Sequence, residues 1–432
     1  MTSASAPAVR TGTGFAVGLL TVVYTLNYLD RQIVNIVAEP IKNELMLSDS
    51  QLGLMSGLAF AVFYTVLGIP LAKYADAPKT NRPVLISICL AVWSAMTAVC
   101  GIATSFTQLL LARIGVGIGE AGCSPAAHSL ISDTVPREKR ASAMAIYSMG
   151  IPFGKLFGLL IGGVVAHALG WRMSFILLGL PGVLLALVTW RMLREPRKEA
   201  DRANLVAPPK QSIATSLRRL LPIPTFWMVT FGGAFMSFLS YGQTAFLGSF
   251  FIRVHHVNVG QAGIMLGLAL GGAGAVGTWL GGRIADRAAQ KDKRAYVLVP
   301  LIASLAGAVL FVTAVMSPSL WPALLILAAA TALTSVWYGP IFATVQSLVE
   351  PEQRAMAAAV HLFFINLIGL GLGPLSFGIL SDALNHGVPG LIPVGFGPAE
   401  GLRYALTAGS LTTVVAIVFF LLSSRTIRAD LK

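Results

Sequence analysis

The chain has 432 residues, of which 55% are hydrophobic and only 11% charged, against roughly 25% charged in an ordinary soluble domain. That balance excludes a soluble multidomain enzyme and a disordered chain. The formal charge of +13 would fit a nucleic-acid partner in a soluble protein, but here the position of the charges points to membrane topology, and no nucleic acid is expected.

Long apolar runs without charge, such as 15–24 and 324–333, fit spanning helices and not the alternating segments of a membrane barrel. The short polar stretch 1–12 precedes an apolar run too long for a secretory h-region. In chain order the spans fall at 14–38, 50–73, 82–104, 107–133, 139–168, 171–193, 223–253, 259–285, 295–315, 319–349, 354–384 and 400–424. The expectation is an all-α membrane protein of twelve helices in two pseudo-symmetric six-helix bundles. Residues 1–193 form the first bundle, 194–222 a basic cytoplasmic linker, and 223–432 the second.

Lys and Arg divide unevenly between the two sides. Lys42, Arg172, Arg253 and Arg403 fall in loops away from the termini. Arg31, Arg113 and Lys155 fall within spans. The rest of the 31 lie on the side of the termini, so both ends are expected in the cytoplasm. Cys89, Cys100 and Cys123 sit in apolar runs and offer neither a disulfide framework nor zinc spacing; no metal and no cofactor are expected. Ser124 and His128 stand four apart, but no hydrolase motif accompanies them, so an enzyme is not expected.

The halves repeat. Ala75-Asp76 matches Ala285-Asp286. Pro125 and Pro136 match Pro340 and Pro351, and Gly154, Gly158 and Gly163 match Gly369, Gly373 and Gly378, all at a spacing of 215 residues. Two parallel repeats are the architecture of a carrier that rocks around a site between its halves. Small residues at four-residue spacing also let helices pack closely in lipid, whatever the function.

Four charges form a candidate site. At 1.5 Å per residue, Asp30 in the first span and Arg113 in the fourth reach nearly the same depth, and Glu120 lies two turns from Arg113 on one helix face. Arg31 can reach Glu120. Asp30, Arg31, Arg113 and Glu120 sum to zero, which a low-dielectric interior tolerates. Two readings stand: a proton-coupling switch, in which protonating a carboxylate changes the balance of two packings, or an ion-pair clamp that fixes the first helix against the fourth. Lys155, in the fifth span, either pairs with an anion, loses its proton or snorkels to a wet crevice. His361 is either a packing residue or a proton carrier. Candidate substrate contacts are Tyr24, Asn27, Arg113, Glu120, Lys155, Phe238, Tyr241, Tyr338 and His361. Candidate gate residues are Lys73, Asp76, Lys79, Arg82, Asp133, Asp286 and Arg287. Asp76 is expected near the start of the eleventh helix when the outer side is open, with Lys79 or Arg82 near Asp133. A cavity ionic on one side and apolar on the other suits an amphiphile.

Gly282-Arg283-Ile284-Ala285-Asp286-Arg287 resembles the loop motif of the major facilitator superfamily, and Ala72-Lys73-Tyr74-Ala75-Asp76 is its first-half partner, with Ala77 where Arg usually follows. Gly150-Ile151-Pro152-Phe153-Gly154 resembles the superfamily's fifth-helix motif of proton-coupled exchangers. Asn27-Tyr28-Leu29-Asp30-Arg31, Arg113-Ile114-Gly115-Val116-Gly117-Ile118-Gly119-Glu120-Ala121 and Arg140-Ala141-Ser142-Ala143-Met144-Ala145-Ile146-Tyr147 resemble the spinster-homolog lipid transporters and their bacterial relatives. The resemblance implies alternating access and proton-linked movement of a lysolipid- or sphingolipid-like amphiphile. The alternative is proton-coupled transport of a small organic anion held by Arg113 and Lys155. The expected partners are that substrate, protons and membrane lipids; a monomer in a bacterial inner membrane is expected.

Overall fold

The computed structural model describes residues 12–431, except 78, 137–138, 197–212, 351–352 and 389–393. In lipid, a backbone must satisfy its own N–H and C=O groups, so each apolar run closes into a helix. Among the described residues, nine helices are long and apolar enough to cross a membrane: Asp49–Asp76 (α2), Arg82–Cys100 (α3), Ser142–Leu169 (α5), Trp171–Met192 (α6), Val259–Ala289 (α8), Ala295–Met316 (α9), Leu320–Ser347 (α10), Met356–His386 (α11) and Gly397–Asp430 (α12). Three more complete the set. Thr13–Ile36 (α1) carries Asp30 and Arg31, Pro224–His255 (α7) runs 32 residues, and α4 comes in two pieces, Phe106–Glu120 and Cys123–Thr134. Most of the expected linker 194–222 lies outside the described residues.

The repeat seen in sequence has a structural counterpart. The break in α4 at Ala121-Gly122 is matched in α10 by the break between Thr334 and Tyr338. Each has a proline just inside the following piece, Pro125 and Pro340. A proline there lacks the N–H for an i→i−4 bond and crowds the carbonyl one turn back, which interrupts the helix. At the other end, α2 and α8 begin with the same device. Ser48 and Gln51 form a capping box, and Asn258 and Gln261 form another, each satisfying two of the orphan donors of a first turn. Both helices then widen into a π segment, Leu54–Leu58 and Gly267–Ala273.

The halves touch through backbone at the end remote from the termini. A Cβ on Gly163 of α5 would lie 2.8 Å from the Cα of Gly263 on α8, and one on Gly57 of α2 would lie 2.9 Å from the carbonyl of Gly371 on α11. Only glycine permits these approaches. Nearer the termini, the atoms nearest a Cβ on Gly281 belong to Val336 of its own half. The closed end is therefore the one carrying residues 39–49 and 253–258.

Candidate functional site

Asp30 and Arg31 follow each other on α1, so their side chains leave the helix about 100° apart. Arg31 crosses to α4, where its Nε donates to Glu120 Oε2 at 2.8 Å and its Nη2 lies 2.7 Å from the same oxygen. The Glu120 side chain is fully buried. The guanidinium also lies against aromatic faces, 4.6 Å from the Tyr64 ring centre, 4.9 Å from Phe60 and 5.1 Å from Tyr28, an arrangement that stabilises a desolvated cation. The Arg31–Glu120 contact is the one expected from the reach of the arginine side chain.

The expected Asp30–Arg113 face-to-face pair is not closed in this conformation. Asp30 Oδ2 accepts from the Thr97 hydroxyl of α3 at 3.2 Å, and Oδ1 has no hydrogen-bond partner. Arg113 stands within electrostatic reach of both carboxylates. Its guanidinium lies 5.3 Å over the Phe60 ring, and its Nε and Nη1 are unpartnered. Depth arithmetic locates a charge to within a turn; the side-chain torsions that close a pair depend on neighbours such as Phe60, which fills the space between the two arginines. Asn27, one turn before Arg31, is buried beside Glu120.

The cluster borders a narrow cavity lined by Arg31, Gln32, Asn35, Ser56, Phe60 and Arg113 from the first half and Tyr241, Leu370 and Pro374 from the second. Tyr24 stacks on Tyr147 at 4.3 Å and meets Tyr28 edge-on at 5.2 Å. Tyr338 stacks on buried Trp337 at 4.1 Å, and Phe238 packs on Phe377 at 6.1 Å. His361 is fully buried in the second half. Its Nδ1 is 3.2 Å from the Thr230 hydroxyl and its ring meets Phe342, so it packs away from both arginines. Ser124 and His128 both neighbour Tyr147.

At the terminus-side end, Arg82 at the start of α3 is fully buried. Its Nη1 donates to Asp133 Oδ2 at 2.7 Å and Ser129 Oγ at 3.0 Å, and its Nε and backbone N–H donate to Glu195 Oε2 at 3.1 and 2.8 Å. Asp133 was the expected partner; Glu195, just past α6, was not. Asp76 accepts from Ser129 of α4 at 3.0 Å, so in this conformation it meets the fourth helix. Lys73, Lys79 and Arg287 are exposed, as is Asp286, which neighbours Tyr296.

The remote end holds a network that sequence reasoning missed. Asp49, opening α2, accepts from both Nη atoms of Arg253 at 2.8 Å and from Ser381 of α11 at 2.6 Å, and pairs with Lys42; Arg253 also holds Glu39. Asp382 of α11 accepts from the backbone N–H of Asp49 at 2.9 Å, that of Ser50 at 2.7 Å and the Ser50 hydroxyl. A carboxylate from one half thus sits on the helix N-terminus of the other, where orphan N–H groups and the helix dipole favour an anion. The Ser48–Gln51 capping pair was the legible signal of that helix start. Below it, Glu44 accepts from Trp171 Nε1 at 2.6 Å and from Arg172, which together hold its carboxyl below the usual range.

The family model of the Major Facilitator Superfamily matches residues 20–374. An MFS-type efflux pump of Mycolicibacterium smegmatis is 35% identical over 412 residues, covering 95% of this chain and 92% of that one. The sphingosine-1-phosphate transporter SPNS2 of Danio rerio is 24% identical over 391 residues, covering 86% and 76%. Among solved structures, a bacterial homolog of the human lysosomal transporter Spinster, in an inward-facing and unoccupied conformation, superposes with a TM-score of 0.88 at 34% identity, covering 98% of this chain and 99% of that one.

Proposed function

The chain belongs to the Major Facilitator Superfamily, and from that footing we propose that it is a proton-coupled carrier of a lysolipid- or sphingolipid-like amphiphile. As a multi-pass membrane transporter it moves a substrate and is not an enzyme. In this reading the termini and the 194–222 linker are cytoplasmic, as the placement of Lys and Arg supports. The closed end is then the outer one, and the conformation is inward-facing.

The observation that carries the proposal is the Asp30–Arg31–Arg113–Glu120 group, buried at the edge of a cavity that both halves line. Two carboxylates balance two guanidiniums. A proton on Asp30 Oδ1, the oxygen without a partner, leaves a net positive charge beside Arg113. That charge is costly in a dry interior and cheaper beside an anionic substrate or water, so protonation shifts the relative energy of the two packings. Glu120, tied by both Arg31 nitrogens, holds α1 to α4 while this happens. The mix of ionic and aromatic lining supports a substrate with a polar head and an apolar body, and the similarity to a sphingosine-1-phosphate transporter points the same way.

The test is uptake into proteoliposomes with and without a pH gradient. Asp30→Asn mimics the protonated state and is expected to abolish gradient-driven uptake while keeping substrate exchange. Glu120→Gln is expected to lose the drive as well. If both variants are folded and transport with the wild-type pH response, the switch is wrong and the group is a structural clamp.

A further inference from the structure

Resting on the carrier reading above, we propose that Lys155 and Gln243 form an oxyanion site across the seam between the halves, separate from the arginine cluster, that takes the phosphate or carboxylate of the substrate. Lys155 follows Gly154, whose missing side chain lets α5 press on Tyr28 of α1. One residue further round the helix, Lys155 points away from α1 and lines a narrow pocket with residues of the second half. Among the residues lining it, Lys155 alone comes from the first half; the remainder belong to α7, α8, α9 and α10.

The lining is built for an anion. It contains no carboxylate, and among the described residues Lys155 has no ion pair. Lys155 is half-buried, and a cation against a low-dielectric lining is favoured by a counter-charge, which a ligand can bring. Gln243 supplies the second element: it is 93% buried, from a relative exposure of 7%, and its Nε2 is a donor with no partner. Thr331 and Thr334 have their hydroxyl protons committed to the Leu327 and Ala330 carbonyls and Ser240 neighbours the Tyr338 hydroxyl, which leaves Thr244 and Ser335 as the neighbouring hydroxyl donors. An ammonium, an amide N–H₂ and two hydroxyls converging on one space match the acceptor atoms of a phosphate or carboxylate. The site also depends on the halves being closed here. Leu156, beside Lys155, lies 3.0 Å from where a Cβ on Gly271 would stand, so α8 and α5 must be in backbone contact for Lys155 to reach the α7 and α10 donors.

The anion could be attached to a lipid tail or be free in solution, and the experiment separates the two. Binding is measured on the purified full-length protein in detergent, without any pH gradient, by microscale thermophoresis. The probes are oleoyl lysophosphatidic acid, monooleoylglycerol with the same tail, and inorganic phosphate. Wild type is expected to prefer the lysophosphatidic acid by at least about tenfold, the scale of one charge-assisted contact. Lys155→Met is expected to remove that preference and leave monooleoylglycerol binding unchanged. Lys155→Arg should restore it to within about threefold, and Gln243→Leu should weaken it severalfold. Phosphate that binds while the lysophosphatidic acid does not keeps the site and sinks the amphiphile reading. A preference that survives in Lys155→Met, or a wild type that binds neither anion, overturns the site.

Discussion

Replacing Asp382 by Asn is expected to release the outer end. The carboxylate accepts two backbone N–H groups of α2 at 2.9 and 2.7 Å and the Ser50 hydroxyl, and each hydrogen bond to a charged group contributes ~1.5–3 kcal/mol. An anion at a helix N-terminus adds ~0.3–1 kcal/mol. Asn keeps one carbonyl acceptor, and water takes up the freed donors once the halves part. The net loss is therefore nearer one charged bond than three, ~2 kcal/mol, which multiplies the outward-to-inward ratio by roughly 30. If outward-facing molecules are about 1% of the wild type, they become about a quarter of the variant. The assay is a double electron–electron resonance distance between labels at positions 46 and 394. Both side chains are exposed, 87% and 77%, and flank the outer end on opposite halves; Cys89, Cys100 and Cys123 are replaced in the background. A second, longer distance should appear in Asp382→Asn. An unchanged distribution would refute the idea that this cap holds the outer end shut.

Arg82→Ala should cost several kcal/mol of stability, because it removes the buried guanidinium that ties Glu195 and Asp133 to the start of α3; removing one member of a buried pair typically costs ~3–5 kcal/mol. Thermal unfolding in detergent measures it, with Arg82→Lys falling between. Glu44, whose carboxyl is held below its usual value by Trp171 and Arg172, stabilises the fold above its ordinary pKa of ~4.3, and that contribution fades as pH falls through the depressed value. Its side chain is 49% exposed, so Glu44→Gln should lower stability by no more than ~1 kcal/mol at pH 7, and the gap from wild type should close as pH falls through the depressed value; parallel melting curves decide it. A Cys at position 387 should react with an impermeant thiol reagent only from outside and one at position 292 only from the cytoplasm; labelling of both from one side would sink the assigned topology.

Much of the architecture was legible because lipid is an unforgiving solvent. A span must be a helix of about 20 apolar residues, so composition and run length alone locate the helices to within a few residues. Gene-scale repetition then exposes the two halves through Pro125 and Pro340 and the matched glycines. Arg31 could be placed in reach of Glu120 by the length of its side chain, and Asp30 beside Arg113 by depth arithmetic along two antiparallel helices. Asp30 and Arg113 mark where that arithmetic stops: they share a depth, yet Thr97 from a third helix takes the carboxylate and the Phe60 ring takes the guanidinium. The contacts that sequence did not reveal all join elements whose approach no local pattern encodes. Asp382 finds the N-terminus of α2, Arg253 finds Asp49, Glu195 finds Arg82, and Lys155 finds the cavity beside Gln243 only when the helices that carry them are packed. Each is polar and lies near a helix end or a seam between bundles, where neither hydrophobic periodicity nor charge asymmetry names a partner; the packing of one half on the other chooses it.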